Sequence, residues 1–589
     1  WARAAELYRT LWTFYPNLET GLRLVASLSS AGRGKEALAI VDELRKLTPP
    51  QGEDPRIDLA EAHIAKRLSN FVIQTHAAKV AEEKGRKSGE SQVVAEALTL
   101  QGDGLLLVSR PRDAIARFEE ARALFDSSGN QGGVATLLTH LGVAYHQMGE
   151  LAKAEETYMK SLAMLREVGS GQGIALQVAN LGLLYQYQGD FNRARRSLDE
   201  AYAEFQRGGD RVFAARALNA IGTLLVSNGD FVGGRRRFEQ VLATSRQTGN
   251  RTDEARALHY LGLIQARQGD WKAAQQRHDE AYKITMGLQD TARAATMLAA
   301  KAEAQVRLGD LAGAQRHFNQ ALAMKQKAQD KVGAAGIMGS LAQLEYRRGN
   351  LGKAKALSQS QARLARTIGS RSLAAAALRD LSRWSFEEGD FNTAWRQLYQ
   401  VAKERAGMGD TLEAAEARLV LAQVAMRQGN IQEAGRIASE LASWYEARRM
   451  KGHEARALAI KAAALLSQGQ GVEAKKAALR AYSHCQGSDD IELRIEIFAA
   501  VAPISVATEP EATQAALGFL RWGVSEAQRV GYVAAGFEAQ LMLGALQIQT
   551  GDAINGRATL GGLRRNAESR GFRRLAREAS EYLAGTRKP

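Results

Sequence analysis

Apolar and small residues recur at helical spacing in this chain, and the pattern itself recurs. Within residues 131–170, Leu138, Leu141, Gly142 and Tyr145 fall at i, i+3, i+4 and i+7, one face of a helix. Gly149 ends that helix, because glycine reaches the left-handed conformation of a C-terminal cap without steric cost. A second helix is predicted from Leu151, with Ala154 three residues further on. A small residue there lets two helices approach closely. It returns as Ala194, Ala274, Ala314, Ala354, Ala394, Ala434 and Ala474.

The turns keep the same register of 40 residues: Gly149-Glu150, Gly189-Asp190, Gly229-Asp230, Gly269-Asp270, Gly309-Asp310, Gly349-Asn350, Gly389-Asp390, Gly429-Asn430 and Gly469-Gln470. A second series lies halfway between, at Gly89, Gly129, Gly169, Gly209, Gly249, Gly369 and Gly409. The short Asp and Asn side chains after the first series can accept a hydrogen bond from the opening N–H groups of the next helix. Each helix is then about 25 Å long. Fixed self-similarity of this kind predicts an all-α, right-handed superhelical solenoid of antiparallel helix pairs. No proline stands between Pro111 and Pro503, so roughly twenty helices follow one another without interruption.

The boundaries follow from where the register weakens. Residues 1–50 read as N-terminal helical hairpins and the start of a Pro-rich linker, with a turn at Gly32-Arg33-Gly34. Residues 51–88 read as degenerate first repeats, with Ser69-Asn70 in a turn position; Ser109-Arg110 also keeps the register without glycine. Residues 89–488 form the regular array. Residues 489–589 read as irregular repeats interrupted at Pro503 and Pro510, then a capping helix and a disordered tail from Gly585.

The Leu-Gly step of the first helix (Leu141-Gly142, Leu181-Gly182, Ile221-Gly222, Leu261-Gly262), the aromatic one turn on (Tyr145, Tyr185) and the small residue of the second helix resemble the tetratricopeptide repeat. The usual unit has about 34 residues. The longer unit here resembles the subtype of bacterial regulators and of adaptors such as kinesin light chains. The resemblance implies a non-catalytic surface for protein or peptide partners. The opening segment, with Tyr15-Pro16-Asn17-Leu18, Gly21-Leu22-Arg23-Leu24 and Asp54-Pro55-Arg56-Ile57-Asp58, resembles the stretch leading into the repeats of large bacterial signalling proteins. Those carry a serine/threonine kinase or a winged helix-turn-helix domain at the amino end, often followed by a membrane span. Neither a kinase catalytic loop nor a recognition helix is present in this sequence. Trp1 stands inside a predicted helix with no initiator Met, which reads as a fragment of a longer polypeptide.

Composition narrows the picture further. Aromatic residues make up 6% of the 589, which suits close-packed Ala- and Leu-rich helices better than a thick β core. The single cysteine, Cys485, excludes an intramolecular disulfide framework. No stretch approaches the roughly 18 apolar residues of a membrane span, and no signal-peptide pattern is visible. The reading is cytoplasmic, or periplasmic where a span precedes Trp1. The net charge of +15 admits a nucleic acid as an alternative partner through Arg-rich faces such as Arg195-Arg196, Arg235-Arg236-Arg237, Arg347-Arg348, Arg564-Arg565 and Arg573-Arg574. The 64 acidic residues spread along the chain favour an ordinary solvated exterior.

The search for chemistry finds no catalytic, metal or cofactor constellation. No two of the nine histidines stand in the helical zinc-protease pattern. His484 and Cys485 are adjacent on a helix and face apart. Gly32-Arg33-Gly34-Lys35 lacks the P-loop frame, and Gln101-Gly102-Asp103-Gly104 lies inside a predicted helix. Glu387-Glu388 reads as an exposed helix end. What remains is the inner surface. If the Leu-Gly step packs between helices, residues two before and two after it face the groove. In later repeats these are His259 and Leu263, Ala299 and Glu303, Gly339 and Gln343, Arg379 and Arg383, Leu419 and Gln423. The candidate partner-binding residues are Asn180, Arg216, Asn219, Arg256, His259, Gln343, Arg379 and Arg383, side chains able to hold a peptide backbone or carboxylate.

Overall fold

The computed structural model describes residues 2–587 except 31–32, 68–70, 108–109, 149, 189, 208–210, 249, 289, 329, 369 and 408–409. The expected turns at Gly32, Ser69-Asn70, Ser109, Gly149, Gly189, Gly209, Gly249, Gly369 and Gly409 therefore lie at least partly outside the described residues. Among these residues the regular structure is helical, with 30 α-helices, two 3-10 turns and no strand. Consecutive helices pair, as Gln131–Met148 does with Leu151–Glu167. The protein is an all-α array of antiparallel helix pairs. No described helix is long and apolar enough to cross a membrane.

Local chemistry accounts for the repeat. Gly229, Gly269, Gly309, Gly349, Gly389, Gly429 and Gly469 all have positive φ, between 78° and 91°. Asp230 and Asp310 each accept from the backbone N–H three residues on, both at 2.8 Å. Asn350 does not cap in this way; its Nδ2 donates to Glu345 instead. In the half-repeat series, Arg449 takes the place of glycine and holds φ at 57°. The Leu-Gly step is a socket: Gly222 lies against the Phe238 ring and Gly262 against the His278 imidazole, where an added Cβ would meet ring atoms at 2.8 and 2.7 Å. The small residues of the second helices, from Ala154 to Ala474, are fully buried.

The chain divides into two compact units. Unit 1 comprises Trp1–Ala220, Ile284–Ala294 and Met324–Lys331. Its cores join neighbouring helices: Ala5 to Ile64, Leu59 to Leu100, and Val94 to Ala144.

Unit 2 comprises Ile221–Lys283, Ala295–Ala323 and Val332–Pro589. It closes on itself. Ala342, Tyr346 and Trp384 share one core with Phe537, Leu560, Phe572, Leu575 and Tyr582. Charge completes the closure. Arg267, Arg307, Arg347, Glu387 and Arg427 occupy the same place, in the last turns of successive first helices. Each reaches a partner much later in the chain: Arg267 meets Glu416 at 2.7 Å, Arg307 and Arg347 meet Glu492 at 2.8 and 2.9 Å, and Arg427 meets Glu578 at 3.1 Å. Where the column switches sign, so does its partner: Glu387 meets Arg574 at 2.8 Å.

Three sequence expectations change here. Glu387 is 3% exposed rather than a free helix end, because Arg574 and the Tyr346 hydroxyl both donate to it. Pro503 does not interrupt its helix, which runs Ile491–Thr508. Proline inside a helix costs about 3 kcal/mol, and burial of Ile495, Ile497, Phe498, Val501 and Ile504 around it offsets that cost. The tail is ordered through Arg587, which pairs with Glu578 and Glu581; residues 588–589 lie outside the described region.

Candidate functional site

The first helices of unit 2, from Arg251–Gln268 through Ile491–Thr508, surround a cavity of about 470 Å³. One register position supplies a column along its wall: Leu263, Glu303, Gln343, Arg383 and Gln423. These are the residues two places after the Leu-Gly step. Small residues keep the space open. Gly336 lines it with no atom within 4 Å of where a Cβ would stand. Gly339 lies under the amide of Gln361, where a Cβ would come within 2.7 Å of Nε2. Gln361 itself is 3% exposed, and its Oε1 has no hydrogen-bond partner among the described residues.

The wall is dense in charge, and nearly all of it is paired. Arg379 pairs with Asp380 at 3.3 Å and with Glu413; Arg456 pairs with Glu496 at 2.7 Å. Glu492 serves both Arg307 and Arg347. Burial would raise its pKa, but Arg347, Arg307 and Arg456 overcome that and hold it down to about 2. Burial pushes Glu413 upward, whereas Arg267, helped by a hydrogen bond from His453, keeps Glu416 well below the usual carboxylate range. Burial also raises Asp380 against the pull of Arg379. Two charges stand apart: among the described residues, Arg383 and Glu303 form no ion pair. The Arg383 guanidinium lies over the Tyr346 ring, 5.1 Å from its centroid. No described group of three or more His, Cys, Asp or Glu is placed to hold a metal.

Family models described as tetratricopeptide repeat match residues 93–167, 180–233 and 213–287. These stretches are tetratricopeptide repeats. No curated protein matches the chain. Among solved structures it is similar to a Rap protein complexed with competence and sporulation factor, at 14% identity and a TM-score of 0.40, over 64% of this chain and 99% of that one. It is also similar to the apo form of RapI, at 14% identity and TM-score 0.36, over 46% and 98%. A third is BtubC (BKLC) from P. vanneervenii, at 21% identity and TM-score 0.32, over 37% and 92%.

Repeats of this kind, as in the matched stretches, offer surfaces that bind other proteins. The fold distributes the sequence-predicted site residues unevenly. Gln343, Arg379 and Arg383 come together in the unit 2 cavity. Asn180, Arg216 and Asn219 belong to unit 1, where Asn180 donates to Gln177 at 3.4 Å, Arg216 is exposed and Asn219 is buried. Arg256 lies 3.6 Å from Asp253 on its own helix. His259 does not line the cavity; its Nδ1 sits 3.3 Å from Nδ1 of His278, and burial holds its pKa down to about 4. The repeat register also carried an unread signal. Arg267, Arg307 and Arg347 share one position every 40 residues, and that periodicity marks them as a group. Their partners Glu416, Asp490 and Glu492 have no such spacing and needed the folded chain.

Proposed function

We propose that this chain is a non-catalytic interaction scaffold whose unit 2 cavity receives a short peptide segment of a partner protein. The observation that carries this reading is the open cavity walled by successive first helices, along which one register position supplies Leu263 and then the polar Glu303, Gln343, Arg383 and Gln423. Its volume falls within the range of about 300–1,000 Å³ common for ligand sites, and its wall mixes apolar side chains such as Leu263, Leu373 and Val420 with a dense set of charged and amide groups. Such a wall suits backbone amides and charged side chains better than an apolar small molecule. The amino-terminal resemblance to signalling proteins supports a regulatory context, with output through another domain of the polypeptide. The nucleic-acid alternative gains less support, because several of the arginines behind it are engaged: Arg195 by Asp199 at 2.6 Å, Arg347 by Glu492 at 2.9 Å and Arg574 by Glu387 at 2.8 Å.

A cavity-filling variant tests the reading. Random heptapeptides displayed on phage are selected against the full chain, and the binders are measured against Gly336→Phe. No atom lies within 4 Å of the Cβ position at Gly336 and the residue borders the cavity, so the fold and the melting temperature are expected to survive. Peptide affinity is expected to fall at least tenfold. Binding that is unchanged in this variant removes the cavity as the site.

A further inference from the structure

The unpaired charges on the cavity wall point to what the peptide carries. Arg267, Arg307, Arg347, Arg379 and Arg456 each have a carboxylate partner. The acidic groups Asp380, Glu413, Glu416, Asp490, Glu492 and Glu496 each have an arginine. Among the described residues the lining leaves one cation, Arg383, and one anion, Glu303, without an ion pair. The nearby opposite charges are already taken. Arg307 beside Glu303 is held by Glu492, Glu496 near Arg383 by Arg456, and Glu387 by Arg574.

Their placement is as informative as their charge. Glu303 and Arg383 stand at the same register position, two repeats apart, with Gln343 between them and Gln423 beyond. The order along the column is anion, amide, cation, amide. Gln343 is fixed, its Nε2 donating to Asp380 at 2.7 Å. The buried Oε1 of Gln361 adds an unused acceptor on the same wall. At ordinary helix-packing distances, two repeat steps cover about 16–20 Å. An extended chain spans that in about five residues. Glu303 and Arg383 are half-buried, and a segment seated on the wall would remove their remaining water. A charge desolvated without a partner costs free energy, so this wall discriminates by what it lacks.

Resting on the peptide reading above, we propose that the unit 2 cavity selects a segment bearing both charges: a basic side chain or terminus set on Glu303, and a carboxylate about five residues away set on Arg383. The Gln361 Oε1 accepts a backbone N–H between them. A purely acidic or purely basic segment covers one wall charge without matching it, and binds more weakly.

The test uses labelled hexapeptide pools and fluorescence anisotropy with the full chain. Two mixed pools place Lys before Glu or Glu before Lys at the ends; three control pools carry Lys only, Glu only or neither. One mixed pool is expected to bind at least tenfold tighter than every control. Arg383→Gln and Glu303→Gln are each expected to bring it down to the level of a singly charged pool. The paired swap Glu303→Arg with Arg383→Glu is expected to exchange the ranking of the two mixed pools. Circular dichroism confirms that each variant folds. A Glu-only or Lys-only pool that matches the better mixed pool overturns the inference. So does a mixed-pool advantage that survives both Gln variants. If all pools bind equally and Gly336→Phe blocks them, this inference falls while the cavity reading stands. If no pool binds, both fall.

Discussion

Unit 1 and unit 2 use the same helical hairpin and differ in what their first helices carry in the last turn. In the regular repeats of unit 1 that position holds Leu107, Gln147 and Tyr187. In unit 2 it holds Ser227, then Arg267, Arg307, Arg347, Glu387 and Arg427, then Ser467; the five central positions are charged. The described cores of unit 1 stay between neighbouring helices, whereas a core of unit 2 joins Ala342 to Tyr582. The ion pairs differ in the same way. Arg86 in unit 1 meets Glu82 at 2.8 Å with its side chain 47% exposed; Arg574 in unit 2 meets Glu387 with its side chain 1% exposed. A charge on a hairpin end is a minor surface feature when water solvates it. The same charge becomes a closure element when a later part of the chain buries it. The cavity exists in unit 2 because that closure brings helices 150 and more residues apart into one wall.

The largest expected effect removes a closing charge. Arg574→Ala leaves Glu387 buried without a guanidinium, while Glu578 keeps Arg427 and Arg587; the loss costs about 3–5 kcal/mol. Arg86→Ala, at an exposed pair in unit 1, is expected to cost less than about 1 kcal/mol. Urea denaturation of both variants, with hydrogen exchange to localise the loss, checks this. Protection should fall across 533–583 in Arg574→Ala. Equal losses in the two variants would mean that unit 2 does not depend on its buried charges.

A smaller contrast uses two turn glycines. Gly89 in unit 1 has φ of 75° and nothing within 4 Å of a Cβ position. Gly349 in unit 2 has φ of 78°, and a Cβ there would come within 2.6 Å of Val533. Gly89→Ala is expected to lose about 1 kcal/mol for the left-handed backbone alone. Gly349→Ala adds overpacking against the later chain, for about 2–4 kcal/mol in total. Melting curves that rank the two the other way would contradict the closure at Gly349.

The smallest expected effect is pH-dependent. Burial lowers the pKa of His259 to about 4 and that of His278 well below its ordinary value, with His259 adding to the depression of His278. Both imidazoles are therefore neutral in the folded chain, while the unfolded chain takes up protons below about pH 6.5. Their contribution is absent at neutral pH and becomes destabilising as pH falls from about 6.5 toward 4. Phe238 and Phe318 fill the position of His278 in the adjacent repeats. His278→Phe is expected to recover about 1 kcal/mol at pH 5 and to change little at pH 8. Melting temperatures across that range provide the check, and parallel curves for the two proteins would show that the pair does not titrate with folding.

Much of the fold was legible in the chain. The helices, their caps and their sockets depend on residues within one repeat, so Gly229, Asp230 and Ala274 announce them locally. The groove-facing positions were legible too, since Glu303, Gln343, Arg383 and Gln423 follow from helical geometry and register. The state of those positions was not. Arg379 reads as half of a basic pair, yet it is neutralised by Asp380 on its own helix and by Glu413 on the next first helix. His259 reads as a groove residue, yet it turns to His278 because the Gly262 socket draws that imidazole inward.

The 40-residue register, the helix ends and the columns of like positions came from local rules of backbone conformation and helical periodicity, which act over a few residues. Closure came from elsewhere. Whether Arg347 or Glu387 is solvated or buried depends on where Glu492 and Arg574 arrive, 145 and 187 residues later. Small rotations accumulated from repeat to repeat bring them there, and no local pattern in the sequence encodes that sum. The same accumulated geometry leaves Glu303 and Arg383 as the two wall charges without an ion pair among the described residues.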